Sequence, residues 1–477
     1  MKPTMSDYTP TIGIEVHAEL NTKSKMFCGC KNDPHAGEVN AHTCPVCLAH
    51  PGTLPTVNKE AVKKVLLVGR ALAGNLATYS EFDRKNYFYP DIPKAYQLSQ
   101  YAFPFVTGGE LAGVAITRVH LEEDTARSQH DQDEGSLVDF NRAGVPLMEL
   151  VTEPVIHDAK TAGHFAKELQ LLLRTLKVSS ANMEKGEMRV EANISVSKTE
   201  ELGTKVEVKN LNSFKSVEQA IDFEIKRQIK ELEAGNSIIQ ETRGWDEAKS
   251  KTFSQRSKET AEDYRYFPDP DIPKYDIKKE SDFNDSRLAE ISPELPAEIR
   301  IRLTQYGLKP DQVEILLQNE VLLDFFTTTT KGRENDTKFL QMAANYLTSD
   351  IVGLLQNSGT LALDSKMAIS YATLIDMVGA GDITSRVAKD LLEEAVFKGA
   401  DPRKTAEEKG LLQSSSADDL RPLAESLAAA HPTVVADYKA GKESALKFLV
   451  GQGMKETGGS ANPTVLLELL TEVAKRN

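Results

Sequence analysis

Every cysteine in this chain falls inside one short stretch, FCGCKNDPHAGEVNAHTCPVC, residues 27–47. Cys28 and Cys30 form a C-x-C knuckle, and Cys44 and Cys47 form a C-P-V-C knuckle after the intervening loop. Two tight turns that each present two thiols are what a tetrahedral zinc ion requires, because thiolates supply both negative charge and bonds of about 2.3 Å. The plainer alternative is four buried or redox-active thiols. A set of four cysteines closes the coordination shell, so a zinc held there is structural and obliges the local chain to fold as a compact clip. His35 and His42 lie within the loop and are candidates to replace one thiolate. Cysteines crowded this way do not resemble the spread framework of a small secreted domain, and they suit a reducing cytoplasm.

Immediately before the clip, TIGIEVHAEL reads as a strand with Glu15, His17 and Glu19 on one face and Ile14, Val16 and Ala18 on the other. Imidazole and carboxylate two residues apart on one face can ligate a single Mg2+ or Mn2+, hard ions that prefer oxygen. A solvated polar face is the alternative. More carboxylates sit between apolar neighbours on short predicted strands: Glu122 and Glu123 in VHLEEDTARS, Glu149 in VPLMELVTEP, Glu191 in VEANISV and Glu207 in VEVKNLN. Singly, each reads as a surface group; several together with a histidine are what a Mg·ATP site without a phosphate loop requires. No G-x-x-x-x-G-K-[ST] occurs, since AGKES at 440–444 has Ala436 in place of the first Gly and Glu443 in place of Ser or Thr.

A cationic set accompanies the acidic one. DRKNYFYPDIPKAYQLSQY carries Arg84, Lys85 and Lys94, and SQRSKETAEDYRYFPDPDIP carries Arg256, Lys258 and Arg265. Pro-rich aromatic turns fix basic groups near phosphates and offer rings to an unpaired base, or else they are rigid loops with solvated charges.

A chain of 477 residues exceeds one compact core and suggests about three domains. Alternation is clearest in GEMRVEANISV, with Met188, Val190, Ala192, Ile194 and Val196 inward, and in TKVEVKN, with Val206 and Val208 inward. A helix follows in SVEQAIDFEIKRQIKELEAG: Val217, Ile221, Ile225, Ile229 and Leu232 share a stripe, Ser216 and Gln219 suit a capping box, and Gly235 ends it. Beyond ISPELP the periodicity is almost wholly helical, and QSSSADD at 413–419 reads as a hinge or an exposed loop. The expected class is therefore α+β followed by an all-α region, with boundaries at 1–292, 293–407 and 408–477. The 57 Lys and Arg stand against 71 Asp and Glu, a net charge of −14, so nucleic acid would meet a local basic patch rather than a basic surface. The start, MKPTMSDYTPTIG, has no apolar signal region, and no run of about 18 uncharged apolar residues occurs. A membrane partner is not expected.

Taken together, GIEVHAEL, FCGC…CPVCLAHPGTLP, RKNYFYPDIPKAYQLSQY, HLEED, VDFNRAGVPLMELVTEP, EVKNLNSF, RSKETAEDYRYFPDPDIP and GQGMKETGGSANP resemble the B subunits of the tRNA-dependent amidotransferases (the GatB/GatE family), enzymes that convert Glu-tRNA(Gln) or Asp-tRNA(Asn) to the amide. The resemblance implies a cradle domain similar to glutamine synthetase, a helical domain and a small helical tail, YqeY-like, that meets the tRNA. It implies Mg2+, ATP and structural Zn2+, and a heterotrimer completed by an amidase (glutaminase) partner and a small third protein. Carried over by motif position, Glu15, His17, Glu123, Glu149, Glu191 and Glu207 would be catalytic, with Glu15, His17, Glu123 and Glu149 on magnesium. Glu122, Lys85 and Arg256 would bind the nucleotide, with either Glu122 or Glu123 as the metal ligand. Position 95 carries Ala where the family more often has Gly, Glu191 stands where Asp is frequent, and Gly458 and Ser460 occupy positions that are often lysine. Two rival readings are a stand-alone ATP-dependent amide ligase on a small substrate and a non-catalytic zinc-bearing tRNA adaptor. The long helical C-terminus argues against the first, and the clustered Glu and His residues argue against the second.

Overall fold

The computed structural model describes residues 7–131, 135–257, 264–358, 363–413, 417–442, 444–459 and 461–476. The chain divides into two compact units that meet in sequence at Pro296 and Ala297.

The first unit is organised by one strand. β1 (Thr9–Glu19) alternates strictly, with Ile12, Ile14, Val16 and Ala18 buried. A strand that is apolar on one face and chemically furnished on the other belongs in a sheet with one side covered. Its two register partners, β3 (Pro146–Thr152) and β4 (Met188–Ser197), come from far along the chain, and the same sheet holds β2 (Val114–Glu123), β5 (Val206–Leu211), β6 (Glu241–Asp246) and β7 (Lys251–Ser257). The strand order is β7-β6-β5-β4-β1-β3-β2, continued by Val106–Thr107 and Asn75–Leu76. Pairing is antiparallel except between β5 and β6.

Three helices supply apolar residues to the core that covers the sheet: α1 (Lys59–Ala71), α2 (Ala159–Thr175) and α3 (Phe214–Glu233). Val62, Val65 and Leu66, then Phe165 and Leu169, then Val217 and Ile221, share that core with Ile14, Val16, Met148, Leu150, Val190 and Ile194. Each such side chain contributes about 1.5–3 kcal/mol on burial. This core forces Glu15, His17 and Glu149 onto the opposite face.

α3 begins one turn earlier than its sequence suggests. Ser213, not Ser216, is the N-cap, extended at φ −152° and accepting the Ser216 N–H. The buried stripe also departs from the expected one: Val217 and Ile221 are buried, but Glu224 and Gln228 continue the buried face while Ile225 and Ile229 are half-exposed. Steps of four residues drift by about 40° per step on a helix of 3.6 residues per turn, so the predicted stripe winds out of the core. Glu224 is accommodated by Arg227, Gln228 and Thr252, all of which donate to it.

A smaller sheet places Asp83–Asn86 between Phe267–Pro268 and Tyr96–Ser99. The cysteine loop is sewn to the turn that leads into β3: the Met26 N–H donates to Gly144 O, and the His42 N–H donates to Asn141 Oδ1. Asn58, the N-cap of α1, also donates to Ser24 O and Lys25 O, so the helix start fixes the same loop from the other side.

The second unit consists of helices from Pro296–Gln305 to Pro463–Arg476. Its last part has its own apolar cluster, with Leu420, Leu427, Leu449, Leu466 and Leu470 at the centre. Residues 414–416 of the QSSSADD stretch, Lys258 and Ser460 lie outside the described residues. Among the described residues no helix is long and apolar enough to cross a membrane.

Candidate active site

The face of the sheet opposite the helices carries a row of ionisable side chains whose spacing is set by strand register. His17 pairs across the ladder with Glu149 on β3, and Glu15 pairs with Glu191 on β4. On the far side of β3, Glu149 pairs with His120 on β2. Three carboxylates therefore converge on one imidazole nitrogen. His17 Nε2 lies 3.2 Å from Glu149 Oε2, 3.6 Å from Glu122 Oε1 and 3.9 Å from Glu15 Oε1.

Burial makes this arrangement electrostatically tense. Burial and then the Glu149 charge push Glu15 up to about 7. For His17, burial opposes the charged ring, but the hydrogen bond and charge of Glu149 outweigh it and raise the group to about 9. Burial likewise works against an ionised Glu149, yet the imidazoles of His120 and His17 hold it well below the usual carboxylate range. A proton on His17 thus holds together what a cation would otherwise neutralise. Carboxylate oxygens and one imidazole nitrogen form a donor set that fits a hard divalent ion. The ligand atoms of Glu15, His17 and Glu149, and those of His120, Glu122 and Glu149, lie within 4.8 Å of one another in each group.

Not every expected residue joins this cluster. Glu122 does; Glu123 faces the other side of β2, where its oxygens accept the Lys94 ammonium at 2.7 Å and the Leu98 N–H at 3.0 Å. Glu191 is bound to Lys209, 2.8 Å from its Oε2. Glu207 is two strands from β1 and accepts the Thr242 hydroxyl at 2.7 Å. Glu19 turns away from the cluster toward Arg189 and Asp124.

Of the cations, Lys85 faces the acids: the charges of Glu122 and Glu149 overcome burial and hold it protonated well above the ordinary lysine range. Its ammonium sits 4.9 Å from the Tyr264 ring centroid and 5.9 Å from that of Tyr87, a cation–π setting that orients it. Arg84 is held by Asp269 at 2.6 Å. Arg256 lies on β7 opposite Thr242, and its side chain is outside the described residues.

His120 was not among the expected residues. It lies two positions before Glu122 on the same strand, the parity that already paired Glu15 with His17, and that is the signal by which it was readable.

The cysteines form a second centre. The sulfurs of Cys28, Cys30, Cys44 and Cys47 all lie within 4.8 Å of one another, and Cys44 Sγ is 3.9 Å from Cys47 Sγ. Sulfurs around a tetrahedral zinc stand about 3.8 Å apart when each bond is about 2.3 Å, so the set fits a metal. The hydrogen bond from Cys28 lowers the Cys47 thiol to about 5. The Cys44 N–H also donates to Cys47 Sγ at 3.1 Å, and the buried Lys25 ammonium stands 3.9 Å from that sulfur. His35 and His42 instead face Glu187 and Asp33.

Comparison with known proteins shows what the whole chain is similar to. The GatB/GatE catalytic domain family matches residues 10–282, and a GatB domain family matches residues 324–473. The chain is 43% identical over 480 residues to the B subunit of the aspartyl/glutamyl-tRNA(Asn/Gln) amidotransferase of Caldanaerobacter subterraneus, covering 98% of this chain and 99% of that one. It is 42% identical over 483 residues to the protein of that name from Brevibacillus brevis, at 98% and 99% coverage. For Herpetosiphon aurantiacus the figures are 44% over 488 residues, at 98% and 100%.

Proposed function

Because the chain belongs to the GatB/GatE family of tRNA-dependent amidotransferase B subunits, we propose that its sheet face activates the side-chain carboxylate of Glu-tRNA(Gln) or Asp-tRNA(Asn) for amidation. The observation that carries the reading is the convergence of Glu15, Glu122 and Glu149 on His17 Nε2.

A carboxylate does not react with ammonia directly, because the leaving group would be oxide. Transfer of the γ-phosphoryl of ATP to a carboxylate oxygen makes an acyl phosphate, and ammonia then displaces phosphate. Such transfers need positioning and charge neutralisation more than covalent help from the protein. Glu15, His17, Glu122 and Glu149 are the residues to hold magnesium, which when bound would neutralise phosphate charge and orient the phosphoryl oxygens. Lys85, turned toward the same acids and backed by two tyrosine rings, supplies a fixed positive charge beside the transferred group. Glu191 and Glu207, with Lys209 between them, extend the polar row toward the nucleotide.

Cys28, Cys30, Cys44 and Cys47 are the residues to hold a structural zinc, which supplies folding free energy when bound. With all four thiols committed there, the ammonia comes from glutamine hydrolysed on a partner amidase, with a small third protein joining the two. A cytoplasmic setting with aminoacylated tRNA accords with this assembly.

The test combines the chain with its amidase partner, glutamine, Mg·ATP and misacylated Glu-tRNA(Gln) or Asp-tRNA(Asn), and identifies the amino acid released from the tRNA. Amide on tRNA is expected, lost in Glu15→Gln and His17→Ala with the fold intact. Amidation of free glutamate alone would favour a small-substrate ligase, and absence of any ATP consumption would leave a tRNA adaptor.

A further inference from the structure

His120 is 3% exposed and lies beneath the cluster. Its Nε2 is 3.4 Å from Glu149 Oε2 and 3.8 Å from Glu122 Oε2. The other ring nitrogen is committed, since the Arg118 Nε–H donates to Nδ1 at 3.4 Å. An acceptor at Nδ1 sets the tautomer with its hydrogen on Nε2, directed at the two carboxylates.

This hydrogen sorts the oxygens. Glu122 Oε2 accepts the Ser99 hydroxyl at 3.0 Å and has His120 Nε2 at an ion-pair distance of 3.8 Å, while Oε1 is left turned toward His17. Glu149 Oε1 is drawn to Arg118 at 3.5 Å, while Oε2 is shared between His120 and His17. His120 therefore takes part in fixing the rotation of both carboxylates, with Ser99 on one and Arg118 on the other. Because His120 and Glu149 are ladder partners, backbone register sets their separation.

We propose that His120 is a positioning residue for the divalent-cation site: it holds Glu122 and Glu149 with one oxygen each presented toward His17, so that the ion meets an already ordered set of ligands. This rests on the assignment of Glu15, His17, Glu122 and Glu149 to a divalent cation. Partners of metal ligands that act this way typically change metal affinity by about 10–100-fold when removed.

The experiment is Mn2+ titration of the purified full-length chain by electron paramagnetic resonance, with thermal unfolding in chelator as a control for the fold. His120→Phe keeps the ring and loses the donor, and is expected to weaken Mn2+ binding by about 10–100-fold. His120→Gln places an amide N–H near the position of Nε2 and is expected to restore binding toward wild type. Ser99→Ala removes the second donor to Glu122 Oε2 without altering the core, and is expected to weaken binding in the same direction. Unchanged affinity in His120→Phe and Ser99→Ala, or equal losses in His120→Phe and His120→Gln, would overturn the proposal while leaving the cation site standing. Failure of the wild-type chain to bind Mn2+ would remove the cation site itself, and the role of His120 with it.

Discussion

Glu122 and Glu123 are neighbours in sequence and serve opposite faces of one strand: Glu122 Oε1 stands 3.6 Å from His17 Nε2, whereas Glu123 Oε2 takes the Lys94 ammonium at 2.7 Å. Replacing each by glutamine separates the two settings. Glu122→Gln should weaken Mn2+ binding by more than the roughly 10–100-fold typical of an outer-shell partner, and Glu123→Gln should leave it near wild type. Equal losses in the two variants would contradict this division of the strand.

The cysteine clip is tied by hydrogen bonds to the turn that enters β3, so losing a metal there should be felt beyond the loop. Cys44→Ala is expected to drop the zinc content of purified protein and to lower the unfolding temperature of the first unit, because structural zinc contributes folding free energy directly. Metal analysis paired with calorimetry checks this. A zinc-free variant as stable as wild type would reduce the cluster to four thiols with no structural duty.

Glu19 supplies a pH dependence with a definite sign. Burial and the charge of Asp124 raise it from 4.5 to about 8, against the pull of Arg189 and Arg142. Between those values the folded chain holds a proton that the unfolded chain has released, so stability falls as pH rises through this window and the contribution is complete only below 4.5. The slope from one such group is at most about 1.4 kcal/mol per pH unit. Urea unfolding at about pH 5, 6, 7 and 8 should show a shallower decline in Glu19→Gln, whose amide mimics the protonated acid. Parallel curves for the two proteins would rule this out.

Ala95 adopts φ +59°, donating its N–H to Ile92 O and accepting the Tyr87 N–H. A side chain in this left-handed region costs about 1–2 kcal/mol, and glycine returns about 0.5–1 kcal/mol of that as backbone entropy. Ala95→Gly should therefore raise stability by up to about 1 kcal/mol, read as a higher urea midpoint with an unchanged slope.

The polar parity of β1 was readable because its two faces differ so sharply: Ile14, Val16 and Ala18 exclude any other orientation for Glu15 and His17. The end of β2 was harder to read. Val119 and Leu121 alternate with His120 and Glu122, which sets His120 and Glu122 on one face and Glu123 on the other, but the adjacent glutamates break the alternation there and all five residues are buried. The pairing of His120 with Glu149 then fixes which of the two faces continues the polar row of β1. In α3 the difficulty was of another kind. Glu224 and Gln228 look like surface residues in sequence, but Glu224 is met by Thr252 and Arg243, which arrive from β7 and β6, and Gln228 donates to Ile194 O on β4. The expectation of a glutamine-synthetase-like cradle rested on whole motifs and not on periodicity, which registers strands but not their order.

The central position of β1 also has a consequence for how a nascent chain acquires its chemistry. The strand is made before both of its neighbours, Pro146–Thr152 and Met188–Ser197, which lie far downstream. Pairings of such long sequence separation are slow to close. Until β4 has emerged, Glu15 and His17 have no complete ladder to hold them, and a truncated or stalled chain carries these residues without the geometry that gives them a use. The polar row on β1 is therefore completed only after a strand made well over a hundred residues later has joined it.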